Sequence, residues 1–247
     1  MKKTIVALAA LATLAAVPAV SHADDMFSFN AGAVTDYRYR GISQTRLKPA
    51  AQGGFDVALP AGFYVGTWLS TIKWIKDAGG GADVEWDLYG GYKAEVAKDL
   101  TLDVGVLRYQ YPSHDLPVSP NTTEVYAGLT YGPVTVKYSH SVTNLFGFSD
   151  SKNSNYLDVS GTFDLGGGFS LVPHVGYQRI AHNSDFTYTD YSLGVSKEFV
   201  KGLTVSLAAV GADTKSIGGT KAYASPANGK DLGKAGAVLG VKYSMSF

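Results

Sequence analysis

Ala235-Gly236-Ala237-Val238-Leu239-Gly240-Val241-Lys242-Tyr243-Ser244-Met245-Ser246-Phe247 is the stretch whose reading decides the fold. Taken every second residue it gives Ala235, Ala237, Leu239, Val241, Tyr243, Met245 and Phe247, an apolar row that turns aromatic toward its end. The intervening row, Gly236, Val238, Gly240, Lys242, Ser244 and Ser246, is small, polar or charged. A period of two places these rows on opposite faces of an extended strand. An apolar face against lipid and a polar face against water is the pattern of a strand in a transmembrane barrel.

The same alternation recurs toward the N-terminus. It predicts strands at 27–40, 51–59, 63–72, 84–94, 100–111, 122–131, 134–142, 156–163, 169–180, 187–196, 203–210 and 235–247. For the third of these, the lipid-facing side is not decided by the pattern. In the fifth, the apolar parity shifts from the even positions Leu102, Val104 and Val106 to the odd positions Leu107, Tyr109 and Tyr111. That shift predicts a β-bulge near Val106 which turns Arg108 inward. Connections after the even-numbered strands are short, such as Pro60-Ala61-Gly62 and Gly132-Pro133, whereas those after the odd-numbered strands are longer and polar. Short turns at one end and long loops at the other characterise outer-membrane barrels, and an even strand number leaves both chain ends at the short-turn rim. The expected fold is an all-β transmembrane antiparallel up-and-down barrel of about 12 strands. A soluble barrel or sandwich would bury the same apolar face inward. Aromatic residues gathered toward the strand ends favour the membrane reading.

Lys2 and Lys3 precede an apolar run from Ile5 to Val20, and Ser21-His22-Ala23 is a small-x-small cleavage site. Residues 1–23 therefore read as a secretory signal peptide, with 24–247 as one barrel domain. The balance of 21 basic and 21 acidic side chains argues against a nucleic-acid partner, and the absence of cysteine excludes disulfides and thiolate metal sites. Beyond the leader, no apolar run is long enough for a membrane helix.

With the apolar face on lipid, Asp36, Asp56, Glu85, Asp87, Asp103, Glu124, Asp158 and Asp190 turn inward together with Arg38, Arg40, Lys93, Arg108, Lys137 and Lys242. The inverse orientation is costly, since each basic side chain facing lipid at mid-bilayer costs roughly 2 to 4 kcal/mol. These charges, with Tyr64, Tyr89, Tyr126 and Tyr156, are the candidate pore lining. Arg38 and Arg40, expected near the outer rim, are candidates for attracting anions or lipopolysaccharide phosphates. Two arrangements fit the mixed charge: an open aqueous path with at most mild cation preference, or acids and bases that pair across the lumen and plug it, which would make the chain a non-conducting structural or ligand-binding barrel.

Catalytic constellations are sparse. His140 lies between Ser139 and Ser141, but adjacent strand residues face opposite ways. His182-Asn183-Ser184 has same-face spacing in a predicted loop, which makes a membrane lipid acyl hydrolase the distant alternative. His114 and His174 stand alone in sequence, no cofactor is implied, and Asp77 with Asp83 lacks the spacing of a calcium loop. The last long segment, with Lys215, Lys221, Lys230 and Lys234, is a candidate for solvation, anion steering or inward folding as a gate.

Several segments also resemble a known family. They include Asp36-Tyr37-Arg38-Tyr39-Arg40-Gly41-Ile42-Ser43-Gln44-Thr45, Gly62-Phe63-Tyr64-Val65-Gly66-Thr67-Trp68 and Glu85-Trp86-Asp87-Leu88-Tyr89-Gly90-Gly91-Tyr92. Asp103-Val104-Gly105-Val106-Leu107, Tyr109-Gln110-Tyr111-Pro112, Glu124-Val125-Tyr126-Ala127-Gly128-Leu129 and Asp190-Tyr191-Ser192-Leu193-Gly194-Val195-Ser196 belong to the same set. Together they are similar to the TorF-type porin family of proteobacterial outer-membrane proteins. The resemblance implies a bacterial outer-membrane channel for small hydrophilic solutes or ions. It also implies lipids and lipopolysaccharide as surroundings, and a barrel-assembly partner that reads the closing strand ending in Phe247.

Overall fold

The computed structural model describes residues 26–247; the expected leader and its cleavage point lie outside the described residues. The wall consists of β1 (Phe27–Val34), β2 (Ala50–Ala58), β3 (Phe63–Thr71), β4 (Val84–Ala97), β5 (Leu100–Gln110) and β6 (Thr122–Tyr131). It continues through β7 (Val134–Ser141), β8 (Asn155–Gly161, prolonged by Phe163–Gly166), β9 (Phe169–Arg179), β10 (Tyr188–Val200), β11 (Leu203–Asp213) and β12 (Gly236–Ser246). Every strand pairs antiparallel with its sequence neighbours, and β1 closes the sheet on β12, from Ser28 opposite Ser246 to Val34 opposite Gly240. Phe27 and Phe247 exchange both backbone hydrogen bonds at 3.0 Å, which seals the seam at its last residue pair. Closure satisfies every strand edge, the condition a sheet must meet to sit in hydrocarbon.

The alternation settles which face is which. Phe29, Leu88, Tyr191, Leu193 and Leu239 are exposed on the outside, whereas their strand neighbours Ser28, Asp87, Asp190, Ser192 and Gly240 are buried. In β3, Phe63, Val65 and Leu69 face out, and Tyr64 and Trp68 go in. Exposed aromatics form two belts: Phe63, Tyr131, Phe163, Phe169 and Phe247 at the short-turn end, and Trp86, Tyr138, Tyr177 and Tyr191 toward the long loops. Amphipathic rings at two levels match the two interfaces of a bilayer.

Two sequence expectations change here. The first strand ends at Val34 and does not run to Arg40. After Thr35 bonds to Leu239, the chain leaves the wall, and Arg38–Tyr39 pairs with Ile42–Ser43 as a small hairpin. Both side-chain rows of this segment are buried, which a wall strand with one face on lipid cannot provide. The bulge expected near Val106 is absent as well. Pairing of β5 with β4 runs unbroken from Gln110 to Thr101, so Arg108 shares the outward face of Val106 and is removed from the candidate lumen set. Its guanidinium donates to Gln110 at 3.2 Å and to Thr123 at 2.9 Å on the outer surface near the long-loop end. The physical reason is that Leu107, Tyr109 and Tyr111, whose apolar rings and branches suit lipid, form a buried inward row instead.

Candidate functional site

The withdrawn segment, Asp36 to Thr45, enters the lumen and crosses it. Its own acid organises it: Asp36 accepts from Ser43 Oγ at 2.5 Å and Thr45 Oγ1 at 3.3 Å, and forms an ion pair with Arg38. Arg38 in turn donates to the carbonyls of Gly41 at 2.9 Å, Leu232 at 3.0 Å and Lys234 at 3.2 Å, tying the hairpin to the last long loop. Gly41 forms the tip, with φ of +77° and space for no side chain: a Cβ would lie 2.6 Å from Asp190 Cβ on β10 and 2.8 Å from the Gly211 carbonyl on β11. Only glycine adopts that backbone without strain.

Arg40 is the hairpin's grip on the opposite wall. Its guanidinium donates to both Glu124 oxygens, at 3.1 and 2.7 Å, and to Gln178 Oε1 at 2.6 Å. It packs over the rings of Tyr39 and Tyr156, 4.8 and 4.1 Å from their centres. A planar fork of donors suits such a bidentate contact. Around it, Tyr39 donates to Tyr109 at 2.7 Å, Tyr109 to Glu124 at 3.3 Å, and Tyr37 and Tyr111 to Glu85 at 2.5 and 2.7 Å. Glu85, Asp87 and Glu124 are each about 1% exposed, so the lumen at this level is filled. Asp87 Oδ1 has no hydrogen-bond partner among the described residues.

Toward the short turns the lumen carries separate acid and base positions. Tyr89 donates to Asp56 at 2.5 Å, Tyr64 to Asp103 at 2.6 Å, and Lys93 is register partner of Asp103. Lys137 rests 3.9 Å from the centre of the Tyr126 ring. Nearer the long loops, beside the hairpin tip, Asp190 receives His174 Nε2 at 2.8 Å and Tyr156 at 3.0 Å, while His174 Nδ1 lies 2.7 Å from Asp158 without aligning for a hydrogen bond. Lys242 faces the lumen from β12, across from Gly32 and Thr204.

The inward tyrosines need room that glycine supplies. Tyr64 lies over Gly91, Tyr126 over Gly105, Tyr89 over Gly66 and Tyr156 over Gly176; a Cβ at Gly105 would come 2.6 Å from the Tyr126 oxygen. Glycines beneath aromatic rings on neighbouring strands let the rings lie flat against the wall. Gly105→Val is therefore expected to destabilise the folded barrel by about 1 to 3 kcal/mol through overpacking. Urea titration of barrel folding in lipid vesicles measures it, and an unchanged midpoint would show that Tyr126 has another place to go.

The eight predicted acids are thus all buried or half-buried inside the wall, Asp36 on the hairpin. Arg38 and Arg40 are buried inside the wall at the long-loop end of the barrel, the end expected for them: Arg38 reaches the carbonyls of the last long loop, and Arg40 meets Glu124 and Gln178 near the long-loop ends of β6 and β9. The inward-folded segment is the first long connection, and the last one caps it through backbone carbonyls. Sequence reasoning missed Tyr37, Tyr109, Tyr111 and Gln178, and treated His174 as isolated. The signal for His174 was its parity, opposite to Val175 and Tyr177 on β9. His182 donates Nδ1 to the Asp150 carbonyl at 2.8 Å, and no hydrogen bond joins it to Ser184 among the described residues. Asp77 and Asp83 are each engaged by a base. Hydrogen bonding to Asp77 holds Arg46 more firmly protonated, and the Lys76 contact at 2.8 Å keeps the Asp83 carboxyl below its usual range.

Comparison with known proteins agrees with this architecture. Residues 18–245 match the model of a family described as "Bacterial protein of unknown function (Gcw_chp)". No curated protein sequence matches the chain. Among solved structures, the chain is similar to the KdgM porin, with a TM-score of 0.57 and 8% identity over 88% of this chain and 99% of that one. The same porin has also been solved in complex with disordered oligogalacturonate. The NanC porin is similar with a TM-score of 0.53 and 9% identity, over 90% of this chain and 99% of that one. At such identities the likeness shows the fold: a porin-type barrel.

Proposed function

The chain belongs to the Gcw_chp family of bacterial proteins of unknown function, and from that premise we propose that it is an outer-membrane channel for small hydrophilic solutes or ions. Solute moves passively, without cofactor or covalent chemistry, through a lumen whose narrowest part is the hairpin Asp36–Thr45. The observation that carries this reading is a charged, hydrogen-bonded interior enclosed by an apolar wall, with the porin-type fold as support. The likeness to TorF-type porins points the same way, as do the expected leader ending at Ala23 and assembly through the strand that ends in Phe247. Lipid and lipopolysaccharide would surround the apolar belts.

A second reading has its own observation. At the level of Glu85, Arg40 and Glu124 the section is filled, which favours a barrel closed at rest and opened by hairpin movement. Single-channel recording of the mature protein in a planar bilayer under a salt gradient separates the two. Steady discrete steps support the open path, and brief rare openings support the gated one. A correctly folded barrel with no current under any applied voltage would overturn both.

The sign of selectivity follows from the lining. Reversing Arg38 and Arg40 to Glu is expected to shift the reversal potential toward cations, since clefts lined by one charge sign concentrate the opposite ion. Because Glu at 40 would also face Glu124 and loosen the hairpin, Lys137→Glu supplies a reversal outside the hairpin contacts. Unchanged reversal potentials in all three variants would remove these side chains from the conduction path.

A further inference from the structure

The outer face of the wall is not uniform at its long-loop end. On β5, β6, β7, β8 and β9 the outward positions there include Arg108, Thr123, His140, Asn155 and Arg179. Pairing sets them side by side: Arg108 is opposite Thr123, Val125 opposite His140, and Asn155 opposite both His140 and Arg179. Among the described residues, no acidic side chain shares this outer face in the half nearer the long loops. On the other seven strands, Asp213 of β11 is the one charged side chain in the corresponding position. Basic side chains on a lipid face cost little close to the interface, and their gathering on one side without acids leaves a positive patch that attracts anions.

The rows beneath continue the pattern. Below His140, Asn155 and Arg179 lie Tyr138, Leu157 and Tyr177, and then Val136, Val159 and Val175, each trio aligned by the same pairing. Hydrogen-bonding groups, aromatic rings and branched aliphatic chains follow one another from rim toward mid-wall, the order of headgroup, interface and acyl chain in a lipid leaflet. The upper level also has donors to spare. His140 is held between the Tyr138 hydroxyl at 3.3 Å and Asn153 Oδ1 at 3.2 Å. Arg108 donates through Nε and Nη1, which leaves Nη2, and the exposed Arg179 guanidinium has no partner among the described residues. Phosphate oxygens match the planar fork of arginine. The two arginines stand four strand spacings apart, about 19 Å along the wall. A lipid with one phosphate meets one of them, whereas a disaccharide headgroup with a phosphate at each end meets both, with its hydroxyls over Thr123 and Asn155.

We propose that the outer face of β5 to β9 docks the bis-phosphorylated disaccharide headgroup of an outer-leaflet glycolipid, Arg108 and Arg179 each taking one phosphate and the rows beneath carrying its acyl chains. The inference rests on the outer-membrane residence proposed above and is independent of conduction.

Native mass spectrometry of the mature barrel in detergent, titrated with bis-phosphorylated lipid A, monophosphorylated lipid A or phosphatidylglycerol, tests it. One retained lipid A per barrel is expected, with the monophosphorylated form about fivefold weaker, the loss of one charged contact, and phosphatidylglycerol weaker still. Arg108→Gln and Arg179→Gln are each expected to weaken lipid A about fivefold, and the two together at least tenfold. Lys197→Gln, which removes a basic side chain from the outer face at the short-turn end, is expected to change nothing. Heat-modifiable migration on a gel verifies that each variant is folded. Equal retention of lipid A by the parent and the double variant, or of lipid A and phosphatidylglycerol by the parent, would overturn the proposal. Density fractionation of cell envelopes reads the premise separately: recovery with the inner membrane would overturn outer-membrane residence itself, whereas absent lipid selectivity in an outer-membrane barrel overturns the docking site alone.

Discussion

Replacing Asp36–Thr45 with a glycine-serine chain of the same length is expected to raise single-channel conductance roughly tenfold, because a barrel of this strand number is wider than side chains alone can fill. The hairpin supplies Tyr37, Tyr39 and Arg40, all buried, to the lumen; its tip abuts Asp190 and Gly211 on β10 and β11, and Arg40 reaches Glu124 on β6. Keeping the loop length leaves β1 and β2 free to pair as they do, from Phe27 opposite Val57 to Val34 opposite Ala50. Planar-bilayer recording measures the change, with the unmodified barrel as reference. Conductance that stays the same in a folded variant would mean that the hairpin obstructs nothing, and the wall side chains alone would then set the path.

The second large effect concerns stability. Arg40→Ala leaves Glu124 buried with only the Tyr109 hydroxyl at 3.3 Å, and deprives Gln178 Oε1 of its donor. Breaking a buried pair from one side typically costs about 3 to 5 kcal/mol, because the remaining charge has lost its compensation. The double variant Arg40→Ala with Glu124→Ala is expected to cost less than the two single changes together, as groups in direct contact couple. Urea unfolding in lipid vesicles, run as a double-mutant cycle, reads both quantities. Additive losses, or an Arg40→Ala barrel within about 0.5 kcal/mol of the parent, would show that the ion pair does not hold the hairpin.

The wall was legible because a period of two is enforced by two solvents. Lipid outside and a polar interior leave Leu239, Val241 and Tyr243 no exchange with Gly240 and Lys242, so parity alone assigned most of the lumen acids. Two things escaped that rule. Tyrosine carries a ring that suits lipid and a hydroxyl that suits a carboxylate, so the row Leu107, Tyr109, Tyr111 did not declare its side; in the barrel Tyr109 and Tyr111 reach Glu124 and Glu85. The other was the path after Val34. Alternation continues through Tyr39, and nothing local says that the chain leaves the wall. What removes it is a set of contacts far away in sequence, with Arg40 meeting residues 84 and 138 positions later. The candidate site is therefore visible as a list of charges in the sequence, but its pairing is a property of the closed barrel.

The seam between β1 and β12 joins Phe27 to Phe247, the most distant partners in the described chain. Loop-closure entropy rises with the logarithm of separation, about 0.6 kcal/mol for each doubling, and neighbouring hairpins form at far lower entropic cost. The order of assembly follows: a ribbon of consecutive hairpins precedes the cylinder, and until the first and last strands meet it carries two unsatisfied edges. In hydrocarbon such edges are prohibitively unfavourable. The ribbon must therefore either complete its closure at the water interface or be held along β1 and β12 by another pair of strand edges until the two ends zip together.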